Sequence, residues 1–183
     1  MKEKLINWVV EQSKKQFSQK RKLLTFVFLT LPTFFLIFTY ILFVLSQAID
    51  GYLDFQKFIV EPFNFLVSPI FIGAGGLLII WTNYLQYTIG KGTAIPAMPT
   101  QKLVIRGPYA FSRNPMMLGV LIYQIGFAIF FGSISWIFLT LLLIAGYTTY
   151  IIKVEEKELE LRFGQDYLEY KKKVPFLIKI KKV

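Results

Sequence analysis

Long uncharged apolar runs alternate with short basic segments along this chain, and the lengths of the runs set the first expectation. Leu23 to Leu45 covers 23 positions without a charge. At ~1.5 Å of helical rise per residue, such a run spans a hydrocarbon core of ~30 Å with some tilt. Pro32 falls inside it, and a membrane helix tolerates one such kink. The run is too long for the core of a signal peptide and no small-residue cleavage site follows, so it reads as a retained helix. Phe63 to Gly90 is a second uncharged run. Its Gly73, Gly75 and Gly76 let another helix, or a ligand, come close to the backbone. The third run, Met116 to Ile152, holds 37 residues without a charge. That is too long for one helix, and Gly132-Ser133 supplies a break. The pattern therefore predicts a hairpin, Met116–Phe131 and Ile134–Ile152, whose short first arm begins its crossing within the preceding motif.

These runs describe an all-α integral membrane protein of about four transmembrane helices. Basic residues then orient it. Seven Lys and Arg fall in residues 1–22, one (Lys57) in 46–66, four in 91–115, none at the hairpin turn and nine in 153–183. The positive-inside bias puts the N-terminus, the 91–115 loop and the C-terminal segment in the cytoplasm. The expected organisation is a basic cytosolic segment (1–22), two transmembrane helices (23–90) and a core of loop, hairpin and amphipathic tail (91–183).

Composition narrows the chemistry. The chain is 55% hydrophobic, above the ~45–50% of soluble proteins. Its net charge of +10 sits beside apolar runs, which points to membrane lipids rather than nucleic acid. It has no cysteine and no histidine. That excludes the common zinc sites, a Cys–His nucleophile pair and disulfides, so no metal is expected. Acid–base chemistry, if needed, falls to Glu, Asp, Tyr, Lys or Arg.

Two polar segments share the cytosolic side. The 91–115 loop, KGTAIPAMPTQKLVIRGPYAFSRNP, is broken repeatedly by Pro and Gly. Irregular backbone at the bilayer surface is tolerated where it lines a cavity, although an ordinary connection with Lys102, Arg106 and Arg113 as interfacial anchors has the same composition. The second segment opens with Glu155-Glu156 at the end of the last apolar run. Two acids at a helix C-terminus oppose the macrodipole and repel each other. Either they meet a ligand amine or Arg113, or they balance Lys157 and Arg162 on a solvated helix. Leu159, Leu161, Phe163, Tyr167, Leu168 and Tyr170 then interleave with charges as in an interfacial amphipathic helix. Lys171 to Lys173, with Lys179, Lys181 and Lys182, add attraction to anionic lipids.

The string Gln101-Lys-Leu-Val-Ile-Arg-Gly-Pro-Tyr109, followed by Arg113-Asn-Pro-Met-Met-Leu-Gly119, resembles the central motif of the isoprenylcysteine carboxyl methyltransferase family, roughly LVxxGxYxxxRHPxYxG. The tail, Glu155-Glu156 and then Phe163-Gly164-x-x-Tyr167-Leu-Glu-Tyr-Lys-Lys-x-Val-Pro175, resembles that family's EE…FGxxYxxYxxxVP ending. Membrane phospholipid N-methyltransferases share a looser version. The resemblance covers about residues 90–183. It implies a cytosolic S-adenosylmethionine pocket between the 91–115 loop and the C-terminal segment, with a lipid-like or isoprenylcysteine-type acceptor arriving from the bilayer for O- or N-methylation. Carried over, Gln101, Lys102, Leu103 and Val104, as a strand-like run, would contact the cofactor. So would Tyr109, Asn114, Pro115, Met116 and Met117, while Glu155 would hold its polar end. Arg113 and Glu156 would be the catalytic pair, with Arg113 shaping the site and Glu156 completing the acidic doublet.

Three positions depart from the pattern. Asn114 stands for the family's His, Met117 for a Tyr, and Ile151 for an Arg that many members associate with the substrate carboxyl. The last departure argues against a prenylcysteine carboxylate. Two other readings remain: an NADPH-dependent membrane reductase of sterol-reductase type, and a non-catalytic membrane protein retaining the fold.

Overall fold

A computed structural model describes residues 2–25, 28 and 33–178. Every regular element among them is helical. In chain order these are α1 (Lys2–Ser13), α2 (Gln19–Thr25), α3 (Phe38–Tyr52, entered through a π-helical turn, Thr33–Ile37), α4 (Phe63–Thr88), α5 (Pro115–Phe131), α6 (Ile134–Tyr150), α7 (Glu156–Phe163) and α8 (Gln165–Lys173). Among the described residues three helical stretches are long and apolar enough to cross a membrane: Phe35–Tyr52, Phe63–Thr88 and Ile134–Phe163. Pro115–Phe131 is apolar and 17 residues long. This is an all-α fold built from membrane-length helices.

The first described span reaches further along the chain than the uncharged run that predicts it, to Tyr52 rather than Leu45. The helix continues through Ser46 and Asp50 because neither leaves a polar group stranded. The Ser46 hydroxyl donates to the Phe43 carbonyl at 3.1 Å, and the Asp50 carboxylate accepts the Ser135 backbone N–H at 3.2 Å. Pro32 and the Lys179–Lys182 stretch lie outside the described residues.

The last span corrects a second expectation. No helix ends at Glu155-Glu156. A π-helical turn, Ile151–Glu155, joins α6 to α7 without interruption, so the helix runs 30 residues to Phe163. At ~1.5 Å per residue it is ~45 Å long, well beyond a ~30 Å core. The acids therefore oppose no C-terminal dipole. Glu156 and Glu158 instead lie inside this continuous helix, and both are buried. A break comes at Gly164, whose φ of +54° belongs to the left-handed region that glycine adopts at little cost. The amphipathic tail is thus two helices, not one.

The chain divides into two compact units. One comprises Leu31–Ile79 and Met116–Tyr147. Its core stacks Trp136 on Phe127 and Phe131, with ring centroids 5.8 and 5.3 Å apart, around buried Leu42 and Ala128. Three buried polar side chains here form a chain: the Trp136 indole donates to Gln124 at 3.3 Å, and the Gln124 amide donates to Thr39 at 3.2 Å. Helices α4 and α5 touch at Gly75, where a Cβ would come within 2.4 Å of the Tyr123 backbone nitrogen, whereas Gly73 faces open space. Gly75 therefore serves helix packing.

The other unit comprises Met1–Thr30, Ile80–Pro115 and Thr148–Val183, and it contains most of the motif residues. In it, α1 buries Ile6 and Val9 and packs against α7 and the π-helical turn. The Lys22 ammonium is buried and donates to the Lys91 carbonyl at 2.6 Å.

Candidate active site

The loop between α4 and α5 gets its shape from its own backbone. The Gly90 carbonyl accepts the N–H groups of Gln101 and Lys102 at 2.6 and 3.1 Å, and the Thr93 N–H donates to the Met98 carbonyl at 2.8 Å. A side chain at Gly92 would place its Cβ 2.4 Å from the Pro99 carbonyl oxygen, so this narrow neck requires glycine. It closes the loop and delivers Gln101 to Val104 in a fixed place. That run is not a strand: Gln101 and Lys102 bend, Lys102 is exposed and Val104 is buried. Both N–H groups that would begin a strand pairing are already taken by Gly90.

Next, Gly107 turns the chain with φ +61° into a short 3₁₀ helix, Gly107–Ala110, that buries Tyr109. The Tyr109 hydroxyl accepts from the Gln86 side-chain amide at 2.7 Å. Its carbonyl accepts the Tyr170 hydroxyl, also at 2.7 Å. Burial raises the Tyr109 phenol well above its ordinary range; the Gln86 hydrogen bond opposes that rise and the nearby Glu155 charge adds to it. Tyr109 and Glu155 are thus within electrostatic reach of each other.

Arg113 and Asn114 are held by the chain's last described segment. Their backbone N–H groups donate to the carbonyls of Pro175 and Phe176 at 2.9 and 3.2 Å, and the Asn114 amide donates to Phe176 at 3.2 Å. With its backbone fixed, the Arg113 guanidinium ion-pairs with Glu156. Glu156 is only 4% exposed and also meets the Lys171 ammonium at 2.7 Å, which in turn meets Glu160 at 2.9 Å. Hydrogen bonding to Glu156, then to Glu160, raises the Lys171 pKa. Tyr167 lies alongside: burial pushes its phenol up to about 12, helped by the Glu156 charge and opposed by Arg113 and Lys171.

A second buried pair, Arg162 with Glu158, sits one turn on, and Arg162 also reaches the Thr100 hydroxyl at 3.4 Å. Through these pairings Glu156, Glu158 and Glu160 all have cationic partners. The Glu155 carboxylate receives neither a hydrogen bond nor an ion pair from any described residue. Among the described residues of this unit, Gln86 Oε1 and Arg113 Nε are buried without a hydrogen-bond partner.

Of the residues singled out in the sequence, Tyr109, Arg113, Asn114, Glu155 and Glu156 converge, and Pro115 is fully buried where α5 starts. Gln101 to Val104 are tethered at the loop neck. Met116 and Met117 fall in the other unit, where Met116 packs against the Ile79, Val120 and Tyr123 cluster and Met117 is buried. The sequence reading gave no site role to Gln86, Arg162, Tyr167, Tyr170, Lys171 or Phe176. The tail motif quotes both tyrosines. Gln86, a polar side chain late in an apolar helix, was a signal available without any motif.

Residues 63–166, more than half of the chain, match the family described as phospholipid methyltransferase. No curated protein and no solved structure matches the chain.

Proposed function

The chain belongs to the phospholipid methyltransferase family, whose members are membrane methyltransferases and include the isoprenylcysteine carboxyl methyltransferases, and we propose from this premise that it uses S-adenosylmethionine to methylate a lipid-like acceptor. The observation that carries the reading is the pairing pattern of the acids. Every neighbouring carboxylate is matched by Arg113, Arg162 or Lys171, and Glu155 alone is left for an external cation. The donor set fits such a cofactor. Glu155 would hold its ammonium, and the unpartnered Gln86 oxygen and Arg113 Nε are an acceptor and a donor for its other polar groups. Tyr109, Asn114 and the Gln101–Val104 run would supply the remaining contacts.

The cofactor supplies an electrophilic methyl group on a sulfonium sulfur, which keeps the bonding electrons as the acceptor lone pair forms the new bond. This transfer needs in-line placement more than proton traffic. A chain without histidine can therefore support it. Arg113, fixed by Glu156 and by the Pro175 carbonyl, would orient the reacting groups through its rigid fork. An amine acceptor releases its proton to water at the cytosolic face.

Ile151 is 2% exposed, so its position offers neither charge nor room for a carboxylate. A buried carboxylate without a partner is costly. The acceptor we propose is accordingly a lipid with a neutral or amine headgroup that reaches the site from within the bilayer. Four helices cross the membrane in this reading, with both termini cytoplasmic, as the Lys and Arg distribution requires.

The test has two arms. S-adenosylmethionine and S-adenosylhomocysteine should raise the unfolding temperature of the detergent-purified protein while NADPH does not. Radiolabelled methyl transfer should then label total membrane lipids in preference to a farnesyl-cysteine analogue. Stabilisation by NADPH alone would overturn the cofactor, and labelling of the analogue alone would overturn the acceptor.

A further inference from the structure

The segment that follows Gly164 touches the motif loop at more points than any ligand role requires. Tyr170 of α8 sends its buried hydroxyl to the Tyr109 carbonyl at 2.7 Å and lies 3.4 Å from the Ser112 carbonyl. Three residues earlier on the same helix, Tyr167 is buried beside Arg113. The spacing of three places both rings on one helix face, and their centroids are 6.2 Å apart. Each phenol thus faces a different part of the loop: Tyr170 the backbone of the 3₁₀ turn, Tyr167 the guanidinium.

The Tyr109 carbonyl belongs to a turn whose amides are already used. Phe111 and Ser112 both donate to the Pro108 carbonyl at 3.1 Å, which leaves the Tyr170 hydroxyl as the donor that satisfies the Tyr109 carbonyl. A buried carbonyl that loses its donor pulls its peptide toward water or another partner. The Tyr109 side chain, tied at its far end by Gln86, would move with it.

We propose that Tyr170 is a positioning residue for the methyl donor. It touches no reacting group and acts by fixing the Tyr109 peptide, and with it the ring that meets the donor. Tyr167 acts on a separate element, the Arg113 guanidinium. The two tyrosines of one helix face therefore divide the work, one setting donor affinity and the other the turnover step. The inference rests on the methyl-donor reading above and assigns the C-terminal helix a role in it that needs no contact with donor or acceptor.

Phenylalanine replacements test this with little change of shape. Donor binding by the wild-type protein is measured first, by calorimetry with S-adenosylhomocysteine; no binding there would overturn the donor reading and this proposal together. Given binding, Tyr170→Phe should weaken it about threefold to tenfold, as expected for one hydrogen bond. It should raise KM for S-adenosylmethionine to match and leave kcat within about twofold. Tyr167→Phe should do the reverse, lowering kcat with donor affinity retained. A purely structural role predicts lower unfolding temperatures for both variants and unchanged donor affinity in each, and that result would overturn the proposal. So would equal losses of affinity in the two variants. Should Tyr170→Phe fail to fold, Gln86→Leu removes the other tie of Tyr109 together with a proposed donor contact, and unchanged affinity in that variant would overturn both roles.

Discussion

Removing the charge from Glu156 should be the most damaging single change in the ion network, more so than removing either of its partners. Glu156→Gln keeps the shape of the side chain and one accepting oxygen but strands the Arg113 charge. That guanidinium already has a buried Nε without a partner, and Glu156 is its one ion-pair partner among the described residues. Leaving a buried charge uncompensated costs roughly 3–5 kcal/mol, and the surviving amide oxygen argues for the lower end. At ~2–4 °C per kcal/mol for a chain of this size, the unfolding temperature should fall by about 6–12 °C. Arg113→Met is milder, because Glu156 still has Lys171 at 2.7 Å; the expected loss is ~1–3 kcal/mol. Lys171 is 35% exposed, so solvent screens it, and Lys171→Met should cost at most ~1 kcal/mol. Combining Glu156→Gln with Arg113→Met should cost clearly less than the sum, since the charge stranded by the first change is deleted by the second. Thermal unfolding in detergent, followed by loss of helical circular dichroism, measures all four. If the two single losses add, or if Lys171→Met is the worst, the buried pair does not fasten the loop to α7.

Glu155→Gln should leave the unfolding temperature nearly unchanged yet weaken S-adenosylmethionine binding about tenfold to 150-fold, the worth of a charge-assisted hydrogen bond; unaltered affinity by calorimetry would make Glu155 a mere helix residue. Gly75→Ala should destabilise by about 1–3 kcal/mol, because its Cβ meets backbone of α5 that cannot yield cheaply, whereas Gly73→Ala, which faces open space, should be neutral; equal unfolding temperatures for the two would refute the close helix contact. Single cysteines at Ser13, Thr100 and Gln165 should all label from the cytoplasmic side only, and external labelling of any one of them breaks the four-crossing topology.

The helices were legible because the membrane demands long uncharged runs. What charge marks, however, is where the chain leaves the bilayer, not where the helix stops. Lys, Glu and Leu are good helix formers, so the last span continues from Ile152 through Lys153 and the acids to Phe163. The dipole argument for Glu155-Glu156 failed for that reason, although the suspicion it raised fell on residues that now have specific surroundings. Gly164, by contrast, ended its helix as a glycine past a polar turn commonly does. In the candidate site, Arg113 and Glu156 were readable because opposite charges near two adjoining segments advertise a pairing. Tyr170 was not. Its partner is a backbone carbonyl, which every residue carries, so no complementary residue type could announce the contact. Met116 and Met117 are placed by their helix. They follow Arg113-Asn114-Pro115 directly, but α5 starts at Pro115 and carries them into the other unit's core.

The acids of α7 support one further step. Four carboxylates, Glu155, Glu156, Glu158 and Glu160, lie within six positions, and two arginines and one lysine answer three of them. Arg113 comes from the motif loop and Lys171 from α8, so two of the cations are delivered by other elements and only Arg162 by α7 itself. Without those cations the acids would repel one another, so the loop and α8 relieve a repulsion that the helix would otherwise carry. Arg113, Arg162 and Lys171 answer each of these acids except Glu155, and that carboxylate is the group a cationic donor would find.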